Sequence, residues 1–158
     1  MEPLTLPLDR EAIERILPHR DPFLLVDQII ELEPDRRIVG VKHVGMNEPF
    51  LTRVPQQRAT FPSTILMEAV AQVGAIMILA KPENRGRLIF FMGIRRVRFR
   101  HPVHAGDSVV IEAAVRLLRS RMGLFEGTAK VGGRVVADGA MTFALGPPMS
   151  DSQGAGRP

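Results

Sequence analysis

The sequence predicts an α+β fold in which an antiparallel sheet wraps around one long helix. Two observations support this prediction. Residues 62–81 are apolar nearly all round, which is typical of a helix that is buried on every side. After them come long β-prone runs separated by short breaks, which favour antiparallel pairing between neighbours along the chain. A chain of 158 residues is long enough for one such domain.

The N-terminal part of the chain carries weaker structural signals. Asp9 is placed to cap a short helix over 10–17, which Pro18 ends. The β-branched residues of 38–44 predict a strand. Residues 46–62 contain three prolines, which argue against regular structure. Because ordered loops of this length are often functional, this segment is a candidate for part of a site.

The C-terminal half is predicted to form the sheet, and the helix between the halves is bounded by prolines on both sides. Such a sheet leaves exposed edges, which pairing of two chains into a dimer would cover. We expect one domain over 1–146 and a disordered tail over 147–158, because the tail is rich in Pro, Gly and Ser. The predicted strands cover 88–100, 108–119, 124–131 and 134–145.

Composition excludes several kinds of site. The chain has no cysteine, so disulfides and cysteine-based metal sites are excluded. The net charge is +4, but no aromatic–basic ladder indicates nucleic-acid binding. We expect a cytoplasmic protein without a membrane span, because no signal-like start is present and Glu68 and Gln72 interrupt the most apolar stretch. Neither a metal nor a cofactor is expected, since no metal-ligand spacing occurs among His19, His43, His101 and His104.

Four segments together resemble the FabZ/FabA type of 3-hydroxyacyl-(acyl carrier protein) dehydratase. Each segment is weak alone, but their order and spacing over residues 10–145 are those of the family. The resemblance implies the hot-dog fold, in which a sheet wraps around a central helix. It also implies a lyase of fatty acid biosynthesis that removes water from 3-hydroxyacyl thioesters of acyl carrier protein. The segments are ILPHRDPFLLVD at 16–27, NEPF at 47–50, MEAVAQ at 67–72 and FMGIRRVRFRHPVHAGD at 91–107.

The catalytic base of that family has no counterpart here. In the family, a loop histidine is the base, and a glutamate fourteen positions later on the central helix is the acid. The glutamate corresponds to Glu68, and counting back fourteen gives Val54, or Arg53 if the register slides by one. Valine has no proton acceptor, and a guanidinium stays protonated in proteins. The resemblance therefore implies a dehydratase that is weak or inactive as a homodimer.

Other residues take roles from the same resemblance. The backbone N–H groups of Ser63 and Thr64, at the start of the helix, are expected to polarise the thioester carbonyl. Gln72 lies four residues after Glu68, on the same helix face, and is expected to support it.

Three arginines alternate with apolar residues after the helix, so a strand there would place all three on one face. The functional interpretation is a dock for acyl carrier protein or for the phosphate of its pantetheine arm. An ordinary solvated strand face is about as well supported. These residues are Arg96, Arg98 and Arg100.

Four functions stay open at this point. In the family, each site takes its histidine from one subunit and its acid from the other, so this chain fits a heterodimer with a histidine-bearing paralogue. It also fits a non-catalytic acyl-thioester or acyl-carrier binding module, or a hot-dog thioesterase in which Glu68 activates water. The fourth is a dehydratase whose base is another histidine. A homodimer, a heterodimer, and a tetramer or hexamer built from dimers are all compatible with the sequence, as are several acyl chain lengths and pathways.

Overall fold

The computed structural model describes residues 4–148, and they form one sheet wrapped around one long helix. The six strands of this sheet are antiparallel and lie in the order β1-β2-β6-β7-β8-β4, while β3 and β5 form a separate two-stranded ladder. The helices are α1 (Arg10–Glu14) and α2 (Ser63–Leu79), with a 3-10 turn at Pro82–Asn84. The strands are β1 (Gln28–Glu33), β2 (Arg37–His43), β3 (Thr60–Phe61), β4 (Arg87–Phe99), β5 (Val103–His104), β6 (Ser108–Arg119), β7 (Met122–Val131) and β8 (Arg134–Pro148).

Helix α2 forms the centre of the core, as its sequence predicts. It begins directly after Pro62, and most of its side chains are buried against the sheet. The approach is close enough to require glycine on β7, since a Cβ on Gly127 would lie 2.3 Å from Cγ1 of Val70. The expectation that the helix is buried on every side is wrong at two positions, Thr64 and Glu68, which are exposed. These two residues are four apart, so they share one face.

The order of strands in the sheet differs in part from the sequence-based expectation. Strands β6, β7 and β8 form the predicted meander. Strand β4 pairs with β8 and not with β6, which follows it in the long sheet. The reason is that the break between them contains β5, which pairs with β3 and carries the chain across to β6. As a result, β4 lies at an edge of the sheet.

The ends of two elements also differ from the prediction. Asp9 caps α1 as expected, because its Oδ1 accepts a hydrogen bond from the backbone N–H of Ala12 at 2.8 Å, but the helix ends at Glu14. Strand β8 extends to Pro148, two residues past the predicted end of the domain. The rest of the predicted tail, 149–158, lies outside the described residues. Within 4–148, no helix is long and apolar enough to cross a membrane.

Candidate active site

Glu68 lies on the second turn of α2 and its side chain is 45 % exposed. One turn further on, Gln72 is only 1 % exposed. Its Nε2 donates a hydrogen bond to Oε1 of Glu68 at 3.1 Å. A buried amide therefore holds one oxygen of a carboxylate whose side chain reaches the surface.

Gln72 is itself fixed by the segment that precedes β1. Its Oε1 accepts a hydrogen bond from the backbone N–H of Leu25 at 2.9 Å, and its Nε2 also donates to the carbonyl of Phe23 at 2.8 Å. These bonds attach residues 16–27 to α2. The apolar run PFLLVD at 22–27 has no helical periodicity. Its attachment to α2 gives it a defined position.

The same segment brings His19 to Glu68, where Nε2 of the histidine is 3.6 Å from Oε1 of the carboxylate. The other ring nitrogen, Nδ1, is buried and has no hydrogen-bond partner among the described residues. This proximity was not foreseen from the sequence, because the two residues are far apart in the chain and no spacing rule connects them. The available signal was the segment ILPHRDPFLLVD at 16–27, which contains His19 and resembles the family.

Val54 and Arg53 lie in the loop between β2 and β3, and neither offers a proton acceptor. Val54 is exposed, and its carbonyl accepts a hydrogen bond from the N–H of Gln57 at 3.1 Å. Arg53 donates to the carbonyl of Met46 at 2.7 Å, so its guanidinium is turned toward the backbone of its own loop.

A buried ion pair anchors the beginning of this loop. Nζ of Lys42, on β2, lies 2.9 Å from Oε2 of Glu48 and 3.7 Å from Oδ2 of Asp27. The Lys42 side chain is only 5 % exposed and that of Glu48 only 13 %. Each charge has lost most of its contact with water. The pair is therefore stable only if the two charged groups stay in close contact.

The N-terminus of α2 presents free backbone donors near Glu68. Pro62 is the N-cap and supplies no capping side chain, and the first amide to bond back to it is that of Leu66. The N–H groups of Ser63 and Thr64 precede that amide and belong to the unsatisfied first turn. They carry partial positive charge that suits a developing oxyanion.

The predicted arginine face is interrupted. The pairing of β4 with β8 is irregular between Arg95 and Arg98, and Arg96 has a φ of 53°, so the strict alternation expected there is wrong. Arg98 and Arg100 both contact the carboxylate of Asp138, at 3.1 and 2.6 Å. Burial acts to raise the pKa of Asp138, but Arg100 and Arg98 outweigh it and hold that pKa below its usual range.

An apolar strip runs along the edge strand β4, on the side of the sheet that α2 covers. Phe91 packs edge-on against buried Phe125 with ring centroids 6.0 Å apart. Ile94 and Phe99 lie opposite buried residues of β8, which places them on the same side. Phe91, Ile94 and Phe99 are all exposed in the single chain.

The comparisons with known proteins identify the family. Residues 17–140 match the FabA-like domain family. The chain belongs to that family. It is 46% identical over 139 residues to the 3-hydroxyacyl-[acyl-carrier-protein] dehydratase FabZ of Bacillus cytotoxicus, covering 88% of this chain and 96% of that protein. The FabZ of Herpetosiphon aurantiacus is 46% identical over 135 residues, covering 85% and 96%.

Structural similarity supports the fold. The dehydratase heterocomplex ApeI:P from Xenorhabdus doucetiae superposes with a TM-score of 0.75 at 23% identity, covering 92% of this chain and 94% of that one. The predicted FabZ/FabA-type family and α+β hot-dog fold are therefore confirmed. The family places the chain among the acyl-carrier-linked dehydratases of fatty acid biosynthesis. Within the described part of this FabA-like chain, no group of three or more metal-ligating side chains occurs.

Proposed function

We propose that this chain is one subunit of a 3-hydroxyacyl-(acyl carrier protein) dehydratase, supplying Glu68 as the acid while a histidine-bearing paralogue supplies the base. One observation carries the proposal: Glu68 is presented at the surface by a buried amide, whereas the loop position that the family uses for its base holds Val54. This chain therefore has an ordered acid but no base of its own. That combination fits a site to which two different chains contribute.

The reaction divides between the two subunits. The partner's base removes a proton from C2 of the acyl chain, and the electron pair forms the C2–C3 double bond as the C3–O bond breaks. Glu68 gives its proton to the departing hydroxyl, which leaves as water. The N–H groups of Ser63 and Thr64 stabilise the negative charge that develops on the thioester oxygen. A positioned base contributes about 10²–10⁴ in rate, so a homodimer of this chain is expected to be slower by a factor in that range.

The edge strand β4 supports a two-chain assembly. Within residues 4–148, no strand lies beside its outer backbone groups, because β4 is last in the sheet order. Its exposed apolar strip adds a surface that a second hot-dog chain would remove from water. The ApeI:P neighbour is a dehydratase heterocomplex, and we extend such a pairing to this chain as part of the proposal.

The substrate in this proposal arrives on acyl carrier protein. Arg96 and Arg98 line a groove on the sheet together with Thr128, and Arg100 lines the adjoining one. Arg98 and Arg100 already pair with Asp138. We therefore propose Arg96 as the arginine that contacts the pantetheine phosphate or an acidic carrier surface.

The decisive test uses a paralogue that has its loop histidine but whose own helix glutamate has been replaced by glutamine. Such a partner is inactive by itself, so dehydration appears only in a mixed dimer that combines its histidine with Glu68. We expect this chain to restore formation of the enoyl thioester, its Glu68→Gln variant to fail, and Glu83→Gln to behave as wild type, because Glu83 is an exposed carboxylate beyond α2. Failure of every histidine-bearing paralogue to be rescued would refute the heterodimer.

The same assay separates the remaining functions. In homodimers, Val54→His should create dehydratase activity where wild type shows little. Release of free carrier thiol by wild type, abolished by Glu68→Ala, would identify a thioesterase. Binding of acyl carrier protein that is unchanged by Glu68→Gln, with no turnover in any pairing, would identify a binding module. A wild-type homodimer with an ordinary rate would show that another histidine acts as the base.

A further inference from the structure

His19 lies against the carboxylate of Glu68 and has no place in the chemistry described above. We infer that it is a positioning residue, which fixes the orientation of Glu68; the inference rests on the proposed role of Glu68 as the acid. His19 and Gln72 approach the same oxygen, Oε1, at 3.6 and 3.1 Å. Within residues 4–148, both contacts of this carboxylate fall on Oε1, which leaves Oε2 for the substrate.

The surroundings of the two ring nitrogens determine which of them carries the proton. Among residues 4–148, nothing accepts a hydrogen bond from Nδ1 of His19, which is buried, whereas Nε2 faces a carboxylate oxygen. In the neutral ring, the favoured tautomer therefore has its hydrogen on Nε2, the nitrogen that faces Glu68. In that tautomer Nε2 is a donor and has no free lone pair for a proton of the substrate. His19 is thus suited to hold the acid and unsuited to replace the missing base.

The 3.6 Å separation is slightly too long for a hydrogen bond in the single chain. Contacts of catalytic groups commonly tighten only when substrate is bound, and both side chains remain partly accessible, at 34 % and 45 %. The segment carrying His19 is fixed to α2 through the bonds of Gln72 to Leu25 and Phe23. The ring and Glu68 therefore lie on segments that are hydrogen-bonded to each other, and the proposed contact forms when the gap of 3.6 Å shortens to hydrogen-bond length.

Nuclear magnetic resonance of the ring nitrogens tests the contact without any need for activity. In ¹⁵N-labelled protein at about pH 8.5, where an ordinary histidine is neutral, the His19 ring should show hydrogen on Nε2 and none on Nδ1. Its signals are assigned by their loss in His19→Gln. The Nε2 signal should shift in Glu68→Gln and stay in place in the control Glu83→Gln. Hydrogen on Nδ1, or a ring that does not respond to Glu68→Gln, would overturn the inference.

Kinetics of the mixed dimer test the positioning role. His19→Leu in this chain should lower kcat about tenfold to a hundredfold, the loss expected when a reacting group is misplaced, with KM changed less than about twofold. His19→Gln, which keeps a terminal N–H, should retain most of kcat, and His101→Leu should retain all of it.

The outcomes distinguish this inference from the proposed function. An unchanged kcat in His19→Leu, or a fall confined to KM, would refute the positioning role. If the mixed dimer has no activity even with the wild-type chain, the proposed function fails. In that event the nitrogen spectra still decide whether His19 donates to Glu68.

Discussion

The buried pair of Lys42 and Glu48 yields a quantitative prediction for Glu48→Gln. The substitution keeps the shape of the side chain but removes the charge that lies 2.9 Å from the lysine ammonium. Lys42 is then left almost fully buried, with Asp27 at 3.7 Å as its remaining counter-charge. Nζ of Lys42 also lies 6.0 Å from the centroid of the Phe61 ring, and the lysine side chain is only 5 % exposed, so little water reaches the ammonium.

Removing one partner of a buried ion pair costs about 3–5 kcal/mol, because it leaves an uncompensated charge. Asp27 offsets part of that cost, so we expect a loss near the lower end, about 3 kcal/mol in the free energy of unfolding. For a domain of this size, each kcal/mol lowers Tm by about 2–4 °C. The expected fall in Tm is therefore roughly 6–12 °C.

The assay is thermal and urea unfolding of wild type and Glu48→Gln, with Glu33→Gln as a matched control. Glu33 also pairs with a cation at 2.9 Å, Arg36, but both side chains are more than half exposed, and such pairs contribute less than about 1 kcal/mol. The double variant Lys42→Met with Glu48→Leu should recover most of the lost stability, since no charge stays buried. Equal losses for Glu48→Gln and Glu33→Gln would refute the argument from burial.

Three further predictions concern packing, hydrogen bonding and acid stability. Gly74→Ala should destabilise the fold by about 1–3 kcal/mol in urea unfolding, because the new Cβ would lie 2.4 Å from the ring of Phe125; an unchanged midpoint would contradict this packing. Gln72→Leu should lower the free energy of unfolding by about 1–3 kcal/mol, since it removes the acceptor of a buried backbone N–H. The urea unfolding midpoint should fall accordingly, whereas an unaltered midpoint would show that the amide is dispensable. The hydrogen bond from Arg37 holds the pKa of Glu112 below its usual range. This pair therefore contributes its full stability above the ordinary pKa of a glutamate, about 4.3, and loses it as the pH falls through the lowered value. The stability difference between wild type and Glu112→Gln should shrink in acid, and a difference that grows there would refute the sign.

The parts of the fold that local signals describe were predictable from the sequence. Helix α2 lies within the predicted 62–81, because the apolar run and the flanking prolines are both local features. Strand β6 occupies the predicted 108–119 for a similar reason. Strand β1 was missed: it contains two glutamates, and its pairing is irregular between Ile29 and Glu31, which obscures the alternation of an ordinary strand.

The order of strands and the site depend on contacts between distant residues. No local pattern shows that β4 pairs with β8, because that choice follows from the crossing made by β5. The contact of Glu68 with Gln72 was predictable, since it follows from helical spacing. The approach of His19 was not, because it requires the hydrogen bonds that attach residues 16–27 to α2.

The position of β4 at the edge of the sheet has a consequence for dosage. If one edge serves both self-association and pairing with the paralogue, the two kinds of dimer compete, and at equal supply with no preference about half of all dimers would be mixed. In the proposed scheme, a mixed dimer would hold one complete site, whereas a dimer of a paralogue that keeps both its histidine and its own helix glutamate would hold two. Surplus copies of this chain would therefore hold histidine-bearing subunits in dimers with fewer complete sites. Raising the abundance of this chain beyond that of its partner would then lower the total rate of dehydration.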